Sequence, residues 1–165
     1  MISQLIGDAS FRVRSLTTIC TPHYGSTFAD WCHRSASRLP ELEAALRRFG
    51  LDNNAVKNLT IDYCTNVFNK NIPDDPSVRY FSFGASTQVP TWSVLWFAYE
   101  MIRRTEGDND GMVSVQSSRW GTYLDTLEAS HWDVVGRRRL WRPSTQFDAV
   151  KLYRDISSML YKEGF

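Results

Sequence analysis

The stretch RVRSLTTICTPHYGSTFADW, residues 12–31, decides how the rest of the chain is read. Val13, Leu16, Ile19 and Cys20, set among β-branched neighbours, predict a mostly buried strand. Pro22 ends that strand, and HYGSTFADW reads as a loop entering a helix. A strand that hands over to a helix after a short loop is one unit of an alternating α/β chain.

Working outward, the same alternation recurs. MISQLIG at 1–7 reads as the last turns of a helix stopped by Gly7. A helix that opens at residue 1 without a cap points to a domain that begins upstream. PELEAALRRFG at 40–50 predicts a helix: Pro40 in its first turn, Glu41 and Glu43 near its positive end, Arg47 and Arg48 near its negative end, Gly50 past its stop. NNAVKNLTIDYCTNVFNK at 53–70 predicts a second helix, with Val56, Leu59, Tyr63 and Val67 on one face. SVRYFSFGAS at 77–86 predicts a strand ended by Gly84. VPTWSVLWFAYEMIRRTEG at 89–107 predicts a third helix with a stripe of Trp92, Leu95, Trp96, Tyr99 and Ile102. TYLDTLEASH at 122–131 predicts a short final strand. STQFDAVKLYRDISSMLYKEG closes as an amphipathic helix with Phe147, Val150, Tyr153, Ile156 and Leu160 inward. This pattern predicts a parallel sheet covered on both faces. Reactive groups in such sheets gather beyond the carboxyl ends of the strands. Three loops qualify: CTPHYGS, the region from GASTQ to DNDGM, and EASHWD.

The 165 residues suit one domain with its own core. Lys and Arg number 19 against 18 for Asp and Glu, a balance that gives no reason to expect nucleic acid or an acidic partner. Cys20, Cys32 and Cys64 form neither a disulfide framework nor a metal pattern and read as buried free thiols in a reducing compartment. Asn58–Thr60 is a glycosylation sequon, but the opening residues lack a signal-peptide core. No stretch reaches the about 18 apolar residues of a membrane span.

Chemistry concentrates on two residues. His131 follows a predicted strand, and an imidazole takes and returns a proton near neutral pH. A carboxylate on its other ring nitrogen would fix its tautomer. Asp110, in the turn GDNDGM that follows a helix stop, is the candidate. Asp108 lacks the following glycine and reads as a solvated loop acid, and His33 as plain surface.

VRSLTTICTPHYGSTFADW, NDGMVSVQSSRWG and ASHWDVVG together resemble the second half of the triacylglycerol lipase family of α/β-hydrolases. Both the secreted bacterial lipases and the fungal mitochondrial-type lipases are similar, the fungal branch more so. The resemblance implies the C-terminal half of an α/β-hydrolase fold: a parallel sheet of about three strands, flanking helices, and a lid or cap segment at 28–71. It implies Asp110 as triad acid, His131 as triad base and His23 as a residue that shapes the site. It implies no cofactor. Asp133 matches a calcium-ligand position of the bacterial lipases, but one carboxylate is not a calcium site and no metal is expected. GRRRLWRP at 136–143 reads as a solvated loop, with lipid headgroups as the other partner considered for its arginines.

In this family the nucleophile is a serine in a G-x-S-x-G elbow that precedes the acid and the base. The chain holds no such motif; GASTQ at Gly84–Gln88 is nearest and follows the wrong strand. The expectation is therefore a fragment of a carboxylic ester (triacylglycerol) hydrolase, inactive alone, without nucleophile or oxyanion hole. The complete enzyme would act on long-chain acyl esters or lipids, with a membrane or lipid interface as the further partner considered; the residues leave the compartment open, and the resemblance implies an intracellular one, the mitochondrion among them. The alternative is a non-catalytic remnant that binds lipid or protein.

Overall fold

The structure, a computed structural model, describes residues 12–36, 38–41, 44, 53–136 and 147–165. The expected helix at 1–7, most of that at 40–50 and the arginines of 137–143 lie outside the described residues.

Three strands form one parallel sheet in the order β1 (Ser15–Ile19), β2 (Arg79–Ser86), β3 (Thr122–Glu128). Ser15 pairs with Arg79 and Ile19 with Phe83; Phe81 pairs with Thr122 and Ser86 with Glu128. The central strand is the most buried: Phe81, Ser82, Phe83 and Ala85 are all inside. Gly84 does not end β2, as its residue type suggested; the strand runs to Ser86. The glycine is a packing requirement, because a Cβ there would stand 2.5 Å from the Tyr123 hydroxyl and 2.6 Å from Ser118 Oγ.

The helices are α1 (Thr27–Ala36), α2 (Asn53–Lys57), α3 (Asn69–Asn71), α4 (Trp96–Thr105), α5 (His131–Val134) and α6 (Ala149–Lys162), with a π-helix at Tyr63–Phe68. The single helix expected over 53–70 is broken. Leu59 O accepts from Ser26 N and Asp30 Oδ1 accepts from Ile61 N, so tertiary partners take backbone groups that a continuous helix would use. Val56 and Cys64 are buried as expected, but Val67, placed on the apolar face by helical spacing, is 42% exposed. Trp92 is also not in its expected stripe: it is 67% exposed in the turns that precede α4, where Ser93 N bonds Pro90 O and Trp96 N bonds Ser93 O. On α6, Ile156 is buried with Leu152 and Leu160 half-buried, while Val150 and Tyr153 are exposed.

The core clusters sit at the carboxyl ends of the strands. Cys20, Ala85, Ala129 and Val134 pack together, each just beyond or at the end of its strand or on α5, and Ile19, Leu127, Phe147 and Leu152 surround them. Val89, Leu95 and Tyr99 form a second cluster with Trp96, Met112 and Trp132.

Candidate active site

The acidic turn after α4 is built by its own polar side chains. Asn109 is buried; its Nδ2 donates to Tyr99 O and Gly107 O, and its Oδ1 accepts from Gly111 N. Asp110 Oδ1 accepts from Met112 N at 2.9 Å and Val113 N at 2.8 Å. Gly111 takes φ +102°, a conformation L side chains rarely adopt, so the backbone favours glycine there.

This turn is knitted to all three strand exits. Thr87 N, after β2, donates to Asn109 O; His23 N, after β1, donates to Ser117 O; His131 N, after β3, donates to Asp110 O at 2.9 Å. The last bond places the histidine beside the aspartate. Ser130 caps α5, and Asp133 completes a capping box, its Oδ2 accepting from Ser130 N and Ser130 Oγ. The carboxylate that matched a calcium-ligand position thus serves here to start the helix that carries His131. Among the described residues no group of three or more His, Cys, Asp or Glu is placed to hold a metal.

His131 Nδ1 lies 2.8 Å from Asp110 Oδ2. Asp110 is fully buried, whereas the His131 side chain is 29% exposed. Asp110 therefore has one oxygen tied to two amides and the other aimed at the imidazole. That arrangement leaves Nε2 as the ring nitrogen for groups arriving from outside. Cys20, at φ +51°, ends β1 beside this pair; burial and the charge of Asp110 push its thiol far up, so it stays a neutral packing group. Asp108 is exposed, as is His33. His23 is packed: Nε2 meets Thr18 Oγ1 at 2.9 Å and the ring stacks on Trp120 at 5.1 Å.

Burial works to lower the His131 pKa, but the hydrogen bond and the negative charge of Asp110 outweigh it and hold it above 6.5. Protonated His131 therefore stabilises the fold. That contribution is fully present below the unfolded value of 6.5 and is lost as pH rises through the folded one. Burial lowers the pKa of His23, against the charge of Asp74, so its sign is opposite: stability is lost as pH falls. In an NMR titration of the two rings, the His131 midpoint is expected above 6.5 and the His23 midpoint below it. Coincident midpoints would mean that Asp110 does not act on His131.

Two positioning groups had no signal in the sequence beyond an acidic or polar residue near a turn. Glu106 Oε1 accepts from Thr27 N and Thr27 Oγ1, and Oε2 accepts from Ser114 Oγ at 2.6 Å. Ser117 Oγ donates to Gly25 O and accepts from Tyr24 N. Glu106 thus ties the first turn of α1 to the acidic turn. Glu106→Ala is expected to cost about 2 kcal/mol, the scale of losing hydrogen bonds to a charged group. Faster hydrogen exchange at the Thr27 amide in that variant would check the mechanism.

A partly open cavity of about 150 Å³ has His131 among its lining residues. Phe28, Ala29 and Cys32 of α1, Val56 and Leu59 on and after α2, and Met112 of the acidic turn are among its walls. The walls are mostly apolar, with the His131 imidazole among the lining groups.

A parallel sheet with a buried aspartate and a histidine joined beyond its carboxyl ends is part of an α/β-hydrolase fold. The chain is similar in sequence to a curated triacylglycerol lipase. It is 35% identical over 153 residues to Triacylglycerol lipase 2 of Saccharomyces cerevisiae, a match that takes in 90% of this chain and 44% of that one. The chain thus spans less than half the length of the curated relative it matches. The mature form of Bacillus licheniformis lipase BlEst2 superposes with a TM-score of 0.57 at 26% identity, over 73% of this chain and 48% of that one. Staphylococcus hyicus lipase shares the fold, with a TM-score of 0.69 at 18% identity over 91% of this chain and 57% of that one. No protein-family model matches the chain.

Proposed function

We propose that the chain carries the acid and base of a carboxylic ester hydrolase. In this reading His131 Nε2 takes the proton of a serine hydroxyl as it attacks the ester carbonyl, and returns it to the leaving alkoxide. Asp110 holds the ring in the Nδ1–H tautomer and stabilises the imidazolium that forms. The observation that carries the reading is the 2.8 Å bond between His131 Nδ1 and a fully buried Asp110. The relatedness to triacylglycerol lipases supports acyl esters as substrates. The 165 residues hold no G-x-S-x-G, so the serine and the oxyanion donors are assigned to a polypeptide segment outside them. Segment 28–71 holds α1, α2 and the π-helix and is assigned the role of a cap over the acyl pocket.

Two expectations test this. The chain alone gives no burst of p-nitrophenol from an activated ester. Supplied with the portion of the yeast relative that this chain does not match, in trans or fused, it gives turnover that His131→Gln removes. Turnover that survives His131→Gln would overturn the assignment.

A further inference from the structure

We infer that Asn109 is a positioning residue of this site: by holding the Gly111 amide it limits Asp110 to two amides and leaves the other carboxylate oxygen to His131. The inference deepens the hydrolase reading and rests on it for the role of Asp110. Three successive amides, of Gly111, Met112 and Val113, meet the side chains of this turn, and they are divided between two residues. Gly111 N donates to Asn109 Oδ1 at 2.9 Å. Met112 N and Val113 N donate to Asp110 Oδ1 at 2.9 and 2.8 Å. None of the three goes to Asp110 Oδ2, which lies 2.8 Å from His131 Nδ1.

Chain spacing alone does not impose this division. An aspartate can take the amide of the next residue: Asp125 Oδ1 accepts from Thr126 N at 2.7 Å in this same protein. Gly111 is buried, with Leu95 and Val89 against the side where a Cβ would stand. An amide released in such a place is costly to leave unpaired. The adjoining Asp110 carboxylate, which can accept at about four sites, is the acceptor it would draw on. Each N–H drawn to a carboxylate stabilises the charge where it stands. A third amide would therefore weaken the pull of Asp110 on the imidazolium and turn the carboxylate away from the ring. Asn109 is fixed so as to prevent this. It is 1% exposed, and its Nδ2 donates to Tyr99 O at 3.3 Å and Gly107 O at 3.0 Å, which aims Oδ1 at Gly111. Its own carbonyl accepts from Thr87 N beyond β2.

Two variants separate the hold on Gly111 from the anchoring of the turn. Asn109→Ala removes both. Asn109→Ser keeps an oxygen that accepts the amide two residues on, a bond serine also makes in turns, but lacks the second atom that reaches Tyr99 and Gly107. Both variants are expected to lower the thermal midpoint. The His131 midpoint, read by NMR on the 165-residue chain, is expected to fall in Asn109→Ala and to return toward the parent value in Asn109→Ser. Turnover of the completed enzyme should follow the same order, with Asn109→Ala down by roughly 10–100-fold, the scale of losing a group that orients a reacting one. A His131 midpoint unmoved in Asn109→Ala, or lowered equally in both variants, would overturn the inference. If Asn109→Ala does not fold, Asn109→Ser decides alone: its thermal midpoint falls while its His131 midpoint holds, and a His131 midpoint that falls in step with stability overturns the inference. Failure of the hydrolase reading looks different: the order of the His131 midpoints stands, but His131→Gln leaves turnover of the completed enzyme unchanged.

Discussion

Asp110→Asn is expected to lower ester turnover of the completed enzyme by about 10⁴-fold, the effect known when a triad carboxylate becomes an amide. The geometry explains why so small a change acts so strongly. Asp110 Oδ1 is held by the amides of Met112 and Val113, and an asparagine oxygen would keep those two bonds. The asparagine NH2 would then face His131 Nδ1, now a donor where an acceptor stood. The ring must answer by moving its own proton to Nε2, where it can no longer receive one from a serine. The fold should survive, because volume and backbone contacts are retained. On the chain alone the same variant should lower the His131 midpoint, since the hydrogen bond and charge that raise it are gone. Turnover within tenfold of the parent would show that the carboxylate is structural.

Gly25→Ala is expected to be the most destabilising small substitution in the loop after β1. Gly25 has φ +79°, and a Cβ there would lie 2.6 Å from Ile61 Cα, Ile61 N and Thr60 C. All three are backbone atoms, so no rotamer change relieves the clash. The left-handed conformation costs ~1–2 kcal/mol for an L side chain and forced overpacking adds a similar amount, about 3 kcal/mol in all. Thermal unfolding should shift down by roughly 10 °C for a chain of this size. Gly107→Ala is the control: φ is +91°, but nothing lies within 4 Å, so only the conformational part remains. Equal effects at the two positions would mean that the loop yields to relieve the contact.

The strands were legible in the sequence because each has a local cause, whereas the Asp110–His131 pair was legible through the family resemblance, an aspartate in a turn being ordinarily plain turn chemistry. Val13 to Cys20 and Val78 to Phe83 alternate or cluster apolar, β-branched and aromatic residues. The turn at 107–111 has a glycine where the backbone needs φ +102°. The fate of 53–70 was not legible, because it is decided by partners distant in sequence. Ser26 and Asp30 claim the backbone of Leu59 and Ile61, and past the break Val67 is left outside. Helical spacing placed Phe147 and Ile156 inward correctly but failed for Val150 and Tyr153, which are exposed, while Leu152, off that stripe, meets the sheet cluster. Glu106 was invisible for a related reason: an acidic residue near a helix end is ordinarily solvated, and only the fold brings Thr27 and Ser114 to its two oxygens.

The ring nitrogens of His131 carry the most direct test. Nitrogen-15 NMR of the histidine-labelled chain, at a pH above the His131 midpoint, should show Nδ1 protonated and Nε2 bare. Asp110→Asn should reverse the two. A neutral His131 with its proton on Nε2 in the parent chain would contradict the assignment of Asp110 as the carboxylate that makes this histidine a base.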